Sequence, residues 1–148
     1  MTAIFVTGTG TDVGKTFLSA ALIRHWRMAG HAVAAFKPVA SGFDPATAQA
    51  SDPGVLLAAL GRPISDIDAI SPWRFAAPLS PDMAAAREGR ALDFEAIVAF
   101  SRQATASADH ARPVAARMRS PHSTSNWFSA CFQCWRVSHL ALAFRSAR

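Results

Sequence analysis

Ile4-Phe5-Val6-Thr7-Gly8-Thr9-Gly10-Thr11-Asp12-Val13-Gly14-Lys15-Thr16 is the stretch around which this 148-residue chain is organised. A β-branched and aromatic run turns through glycines into Gly-Lys-Thr, and an apolar helical pattern follows. Strand, loop and helix in that order are the setting of a phosphate-binding loop. The glycines permit a tight turn, so successive backbone N–H groups can point inward at phosphate oxygens. The helix behind them presents its positive end to the same anion. Lys15 adds a mobile cation for the β- and γ-phosphates, and Thr16 a hydroxyl for Mg²⁺. The spacing is a variant: five residues before Gly14 stands Thr9, with Gly8 and Gly10 on either side. The competing reading is a glycine-rich turn with an exposed lysine, and the flanking strand and helix argue against it.

Half of the residues are hydrophobic and 17% are charged, which argues against a disordered chain. The length suits one domain with a useful core. There is no apolar run of membrane-spanning length and no leader pattern, so the expectation is a soluble cytoplasmic protein without a membrane partner. The net charge of +5 is unevenly spread. Residues 1–104 carry 9 basic and 9 acidic side chains, whereas residues 105–148 carry 6 arginines and 1 aspartate. The last 44 residues also contain no Gly, Lys or Glu, yet hold both cysteines and two of the four tryptophans. The chain changes character near Thr105.

After the loop, Phe17 to Met28 reads as a helix, with Phe17, Leu18, Ala21, Leu22 and Trp26 as its apolar positions and Gly30 as its stop. Ala32 to Phe36 is a short apolar strand ending at Lys37, which completes a βαβ unit and predicts a parallel sheet. Val39 to Gly42 and Phe43 to Ser51 read as loops. Asp52, as N-cap, with Pro53 opens a helix to about Leu60, stopped by Gly61. Ile64 to Phe75 is irregular, with a short extended piece around Ile70. Pro81 starts another helix that ends by Gly89. Asp93 caps a last one through about Gln103, with Phe94, Ile97, Val98 and Phe100 as its contacts. The next buried strand of a parallel sheet does not appear through residue 136. Val137 to Phe144 is apolar but isolated.

Lys37 stands where the second strand ends, at the sheet edge from which the phosphate loop also springs. A second lysine there would stabilise charge developing on a transferring phosphoryl group, or it is a snorkelling surface lysine. Ser41 reads equally as a donor to a substrate carboxylate or as a turn residue. Asp52 suits two compatible roles, capping a helix with one oxygen and holding Mg²⁺ beside Thr16 with the other.

Taken together, Phe5 to Thr16, Lys37-Pro38-Val39-Ala40-Ser41-Gly42, Ser51-Asp52 and Phe75-Ala76-Ala77-Pro78-Leu79-Ser80-Pro81 resemble the dethiobiotin synthetases of the biotin pathway, over about residues 3–104. The variant loop spacing is the normal form in that family. The resemblance implies an α/β fold with a P-loop NTPase-like parallel sheet and flanking helices, here in truncated form. It implies a cytoplasmic homodimeric ligase that uses ATP and Mg²⁺. Its partners would be 7,8-diaminopelargonate and CO₂, joined to a carbamate that ATP phosphorylates before the neighbouring amine closes the ureido ring. Carried over by position, Asp12, Val13, Gly14, Lys15, Thr16 and Phe17 wrap the ATP phosphates together with Asp52. Thr16 and Asp52 hold Mg²⁺, Lys37 is the catalytic lysine, and Ser41 and Thr11 contact the substrate.

The family continues with a strand ending in Val-Glu-Gly-x-Gly-Gly, whose glutamate is a further Mg²⁺ ligand. With no Gly or Glu after residue 104, nothing in residues 105–148 matches it. Residues 1–104 are thus the N-terminal part of such a domain, and residues 105–148 an atypical basic tail, out of frame or disordered. Little or no turnover is expected of the chain. Cys131-Phe132-Gln133-Cys134 with His122 and His139 is a weak zinc or redox pattern, since a second pair is missing. Trp127 and Trp135 among arginines weakly suggest nucleic acid, against which stands the lack of lysine. Two alternatives to the synthetase remain: an inactive nucleotide-phosphate-binding fragment, and a partitioning-type P-loop ATPase, which the Lys37 to Gly42 segment disfavours.

Overall fold

The computed structural model describes residues 2–8, 10–110 and 140–145. The β-branched and aromatic run forms strand β1 (Thr2–Val6), and the glycine loop leads into helix α1 (Lys15–Met28). Strand β2 (Ala32–Phe36) returns the chain, followed by the short β3 (Val39–Ser41). A 3₁₀ turn over Pro45–Ala50 leads to α2 (Asp52–Leu60). The one-turn α3 (Ile67–Ile70), the short β4 (Trp73–Phe75), α4 (Pro81–Arg87) and α5 (Phe94–His110) complete the continuous part. Strand β5 (Leu140–Arg145) lies near the end of the chain.

β5 sits between β1 and β2 and runs antiparallel to both, with Ile4 opposite Leu142 and Ala35 opposite Leu142 on the other side. β1 and β2 are therefore parallel to each other, as the βαβ unit requires, but separated by one strand. The apolar run near the C-terminus is thus not isolated, at least over its described residues 140–145. Pairing at such separation leaves no local trace in the sequence. β3 and β4 form a second parallel pair, with Val39 opposite Trp73 and Ser41 opposite Phe75. Both segments read as irregular, because three-residue strands are too short to show a period.

The main core joins Ala20 and Ile23 of α1, Ala35 of β2, Leu56, Leu57 and Leu60 of α2, and Ile70. The buried face of α1 is Ser19, Ala20 and Ile23, whereas Phe17 is 77% and Leu18 52% exposed. Of the apolar positions read from the sequence, Trp26 packs against this core, whereas Phe17, Leu18 and Ala21 are exposed. A second cluster forms around Phe75, Ala84 and Ala85. α5 runs on to His110, and its Phe100 meets Phe36 and Trp73 edge-on, with ring centroids 6.3 and 5.7 Å away. That contact ties β2 and β4 to one helix. Among the described residues, no helix is long and apolar enough to cross a membrane. Cys131, Cys134, His122, His139, Trp127 and Trp135 lie outside the described residues.

Candidate nucleotide site

The loop after β1 ends on Gly14, which caps α1 at φ +85°, a conformation glycine adopts without steric cost. A Cβ placed on Gly14 would meet nothing within 4 Å, so open space lies before the helix. Asp12, two residues earlier, is also left-handed at φ +58°. No side chain caps the start of α1. Its first amides and its dipole are thereby available to an anion from outside. The Lys15 ammonium folds back and donates to the Gly10 carbonyl, spanning the loop. Thr11, Asp12, Val13 and Phe17 all lie on the exposed side.

Opposite the loop, α2 begins at Asp52. Its N-cap is Ser51, whose Oγ accepts from the Gly54 N–H at 3.3 Å, and Asp52 is the first helical residue with Pro53 after it. This corrects the expectation that Asp52 itself caps the helix. Ser51-Asp52 offers two capping residues in a row, and the first one takes the role. The Asp52 carboxylate is freed by that shift, and the site uses it. One oxygen, Oδ1, accepts from Thr16 Oγ1 at 2.7 Å. The other, Oδ2, accepts from the Lys37 ammonium.

Three candidates far apart in sequence thus meet. The start of α1, the end of β2 and the start of α2 are joined through one carboxylate. Lys37 is only 7% exposed, so the snorkelling alternative does not describe it. Its backbone N–H donates to Ile70 O at 3.0 Å, which fixes the strand end. Burial pushes the Asp52 carboxyl upward. The Lys37 charge, the hydrogen bonds from Lys37 and Thr16, and the charge of Lys15 outweigh it, holding the carboxyl below its ordinary 3.8.

Ser41 closes β3 beside a cavity of about 250 Å³ whose wall includes Gly42, Phe43, Ser51 and Asp52. Gly42, at φ +69°, turns the chain there, and its N–H donates to Ala77 O at 3.0 Å. Ser41 therefore shares a cavity with Asp52, whereas Thr11 is not part of that wall. A larger cavity of about 420 Å³ lies between β2 and α5, with Phe36, Leu60 and Phe100 in its wall and none of the candidate residues.

Thr16 and Asp52 offer hard oxygen donors on facing elements. Among the described residues, no group of three or more His, Cys, Asp or Glu side chains could hold a metal. Mg²⁺ in nucleotide sites takes one or two carboxylates and completes its shell with water and phosphate. The donor set fits that arrangement. The Ser51 cap is the feature that sequence reading missed, and Ser-Asp-Pro was its only signal.

The profile of a family described as AAA domain matches residues 2–114. The chain belongs to this family. Within the AAA domain family it is similar to curated proteins named ATP-dependent dethiobiotin synthetase BioD. The one from Acidiphilium cryptum (strain JF-5) is 48% identical over 103 residues, which cover 68% of this chain and 46% of that protein. The one from Phenylobacterium zucineum (strain HLK1) is 53% identical over 103 residues, covering 68% and 44%. The one from Caulobacter sp. (strain K31) is 55% identical over 98 residues, covering 66% and 42%. The resemblance read from the phosphate loop and the Lys37 segment is thereby borne out. The chain spans about half the length of the curated relatives it matches.

Proposed function

We propose that the chain carries the nucleotide-binding half of a dethiobiotin synthetase. The overall reaction is the ATP-dependent closure of a ureido ring from 7,8-diaminopelargonate and CO₂. The observation that supports this most is the Asp52 carboxylate joining Thr16 of the phosphate loop to Lys37 of the second strand. The segment Asp12 to Phe17 wraps the ATP phosphates with the open N-terminus of α1 behind it. Lys15 swings from the Gly10 carbonyl onto the phosphates, and Thr16 and Asp52 hold Mg²⁺, which neutralises phosphate charge when bound. Lys37 faces the transferring phosphoryl group and stabilises the carbamate as it is activated. Ser41 and Thr11 position the diamino acid, Ser41 from the wall of the 250 Å³ cavity. A cytoplasmic homodimer belongs to the same reading. So does an out-of-frame origin for the basic tail of residues 105–148.

The test is an assay of the purified chain with ATP, Mg²⁺, bicarbonate and 7,8-diaminopelargonate, scored for dethiobiotin and for phosphate. Product establishes the ring closure. ATP binding without product identifies a nucleotide-binding fragment. Phosphate release that ignores the diamino acid sinks the synthetase reading in favour of a partitioning-type ATPase.

A further inference from the structure

Lys15 and Lys37 are the only lysines in the sequence, and every other strongly basic side chain is an arginine. Both belong to the candidate site, and each ammonium already has a partner within the chain. Lys15 is turned onto the Gly10 carbonyl, and Lys37 onto Asp52. Both Asp52 oxygens are engaged, Oδ1 by the Thr16 hydroxyl and Oδ2 by Lys37. A divalent cation held by Thr16 and Asp52 would sit against these same atoms, in competition with the Lys37 ammonium for the carboxylate. Its charge would also repel an ammonium beside it.

The backbone of Asp52 has little freedom to resolve this conflict. Ser51 caps its helix, and Gly54 is packed so closely that a Cβ there would lie 2.1 Å from Ala48 O. The Lys37 side chain, with four rotatable methylenes, is the part that can move. The Asp52 side chain is 45% exposed, so a cation reaches it without opening the core. We propose that Asp52 is a shared carboxylate: it holds the Lys37 amine back until a divalent cation displaces it, making cation binding and lysine release one event. The inference rests on the reading of Thr16 and Asp52 as cation ligands. Asp52 is in this sense a positioning residue for Lys37 as well as a ligand.

Having only two lysines makes the test clean. The full chain is treated with a limiting amine-acylating reagent at fixed pH and matched ionic strength, and both lysines are quantified by peptide mass spectrometry. MgCl₂ raises Lys37 acylation about tenfold over the magnesium-free sample, equivalent to about 1.4 kcal/mol. Asp52→Asn gives the raised Lys37 signal without Mg²⁺ and no response to it. Should Asp52→Asn fail to fold, Asp52→Ser takes its place. Cation binding is followed in parallel by electron paramagnetic resonance with Mn²⁺, alone and with ATP present. Wild-type Lys37 labelling that stays constant while Mn²⁺ binds overturns the proposal, as does Asp52→Asn labelling equal to wild type. A chain that binds Mn²⁺ neither alone nor with ATP present overturns the ligand reading instead, and the Asp52→Asn comparison still decides whether Asp52 restrains Lys37.

Discussion

Lys37 and Asp52, fifteen residues apart in sequence, form an ion pair in which the lysine is almost wholly buried and the aspartate half exposed. Removing one partner of a buried pair leaves an uncompensated charge, at a cost of about 3–5 kcal/mol. The solvent at Asp52 screens the pair and lowers that figure to about 1–2 kcal/mol. Asp52→Asn should therefore destabilise the chain by this amount near neutral pH, measured by urea unfolding. A change below about 0.5 kcal/mol would mean that the pair contributes nothing to the fold.

The same pair gives the stability a direction with pH. The folded Asp52 carboxyl lies below its unfolded value of 3.8. Its contribution is thus complete above the unfolded value and disappears as pH falls through the folded one. Urea midpoints of wild type and Asp52→Asn should differ at pH 7, and the difference should begin to shrink only as pH falls below the unfolded value of 3.8. Curves that stay parallel into acid would exclude Asp52 as the source of the difference.

Gly54 tests the placement of α2. A Cβ on it would lie 2.1 Å from Ala48 O and 2.7 Å from Gln49 O, closer than atoms approach. Gly54→Ala must push the start of α2 off the preceding turn, carrying Asp52 with it. The expected loss is about 3 kcal/mol or more, together with the Thr16–Asp52 link. Thermal unfolding and Mn²⁺ binding measure the two effects, and a variant as stable as wild type would contradict the packing.

Lys15→Met should separate binding from folding. The ammonium bridges one carbonyl within its own loop, so stability should change by no more than about 0.5 kcal/mol. Losing a charged hydrogen bond to phosphate should weaken ATP binding roughly 10–100-fold. Calorimetric titration with ATP and Mg²⁺ reads the affinity directly. Unaltered affinity would remove Lys15 from the site.

The frame of residues 105–148 is decided by the DNA. Resequencing should find Val-Glu-Gly-x-Gly-Gly coded in an alternative frame downstream of this point. An unbroken frame with that motif in neither alternative would reject the out-of-frame origin of the tail.

Much of the site was legible because its parts are local. Gly14-Lys15-Thr16 after an apolar strand, and Lys37 at a strand end, announce themselves through backbone requirements that few other residues meet. What was not legible depends on choices between near-equivalent local solutions. Ser51 and Asp52 both cap helices well, and only packing assigned the cap to Ser51 and released Asp52 for the site. Phe17 and Leu18 look like core residues, yet α1 turns Ser19, Ala20 and Ile23 inward instead. β3 and β4 owe their existence to each other, and neither segment carries a period of its own. The engagement of β5 with β1 and β2 is beyond any local pattern, since its partners lie more than a hundred residues away.

The interposed strand has a geometric consequence. β1 leads to the phosphate loop and β2 to Lys37, and the two are not neighbours in the sheet. Adjacent strands stand about 4.8 Å apart, so one intervening strand spaces these two roots at roughly 9.6 Å. The backbone ladder imposes that interval whatever side chains the middle strand carries, and in whichever direction it runs. β5 therefore acts as a gauge block: its backbone sets the width of the gap across which Asp52 joins Thr16 to Lys37.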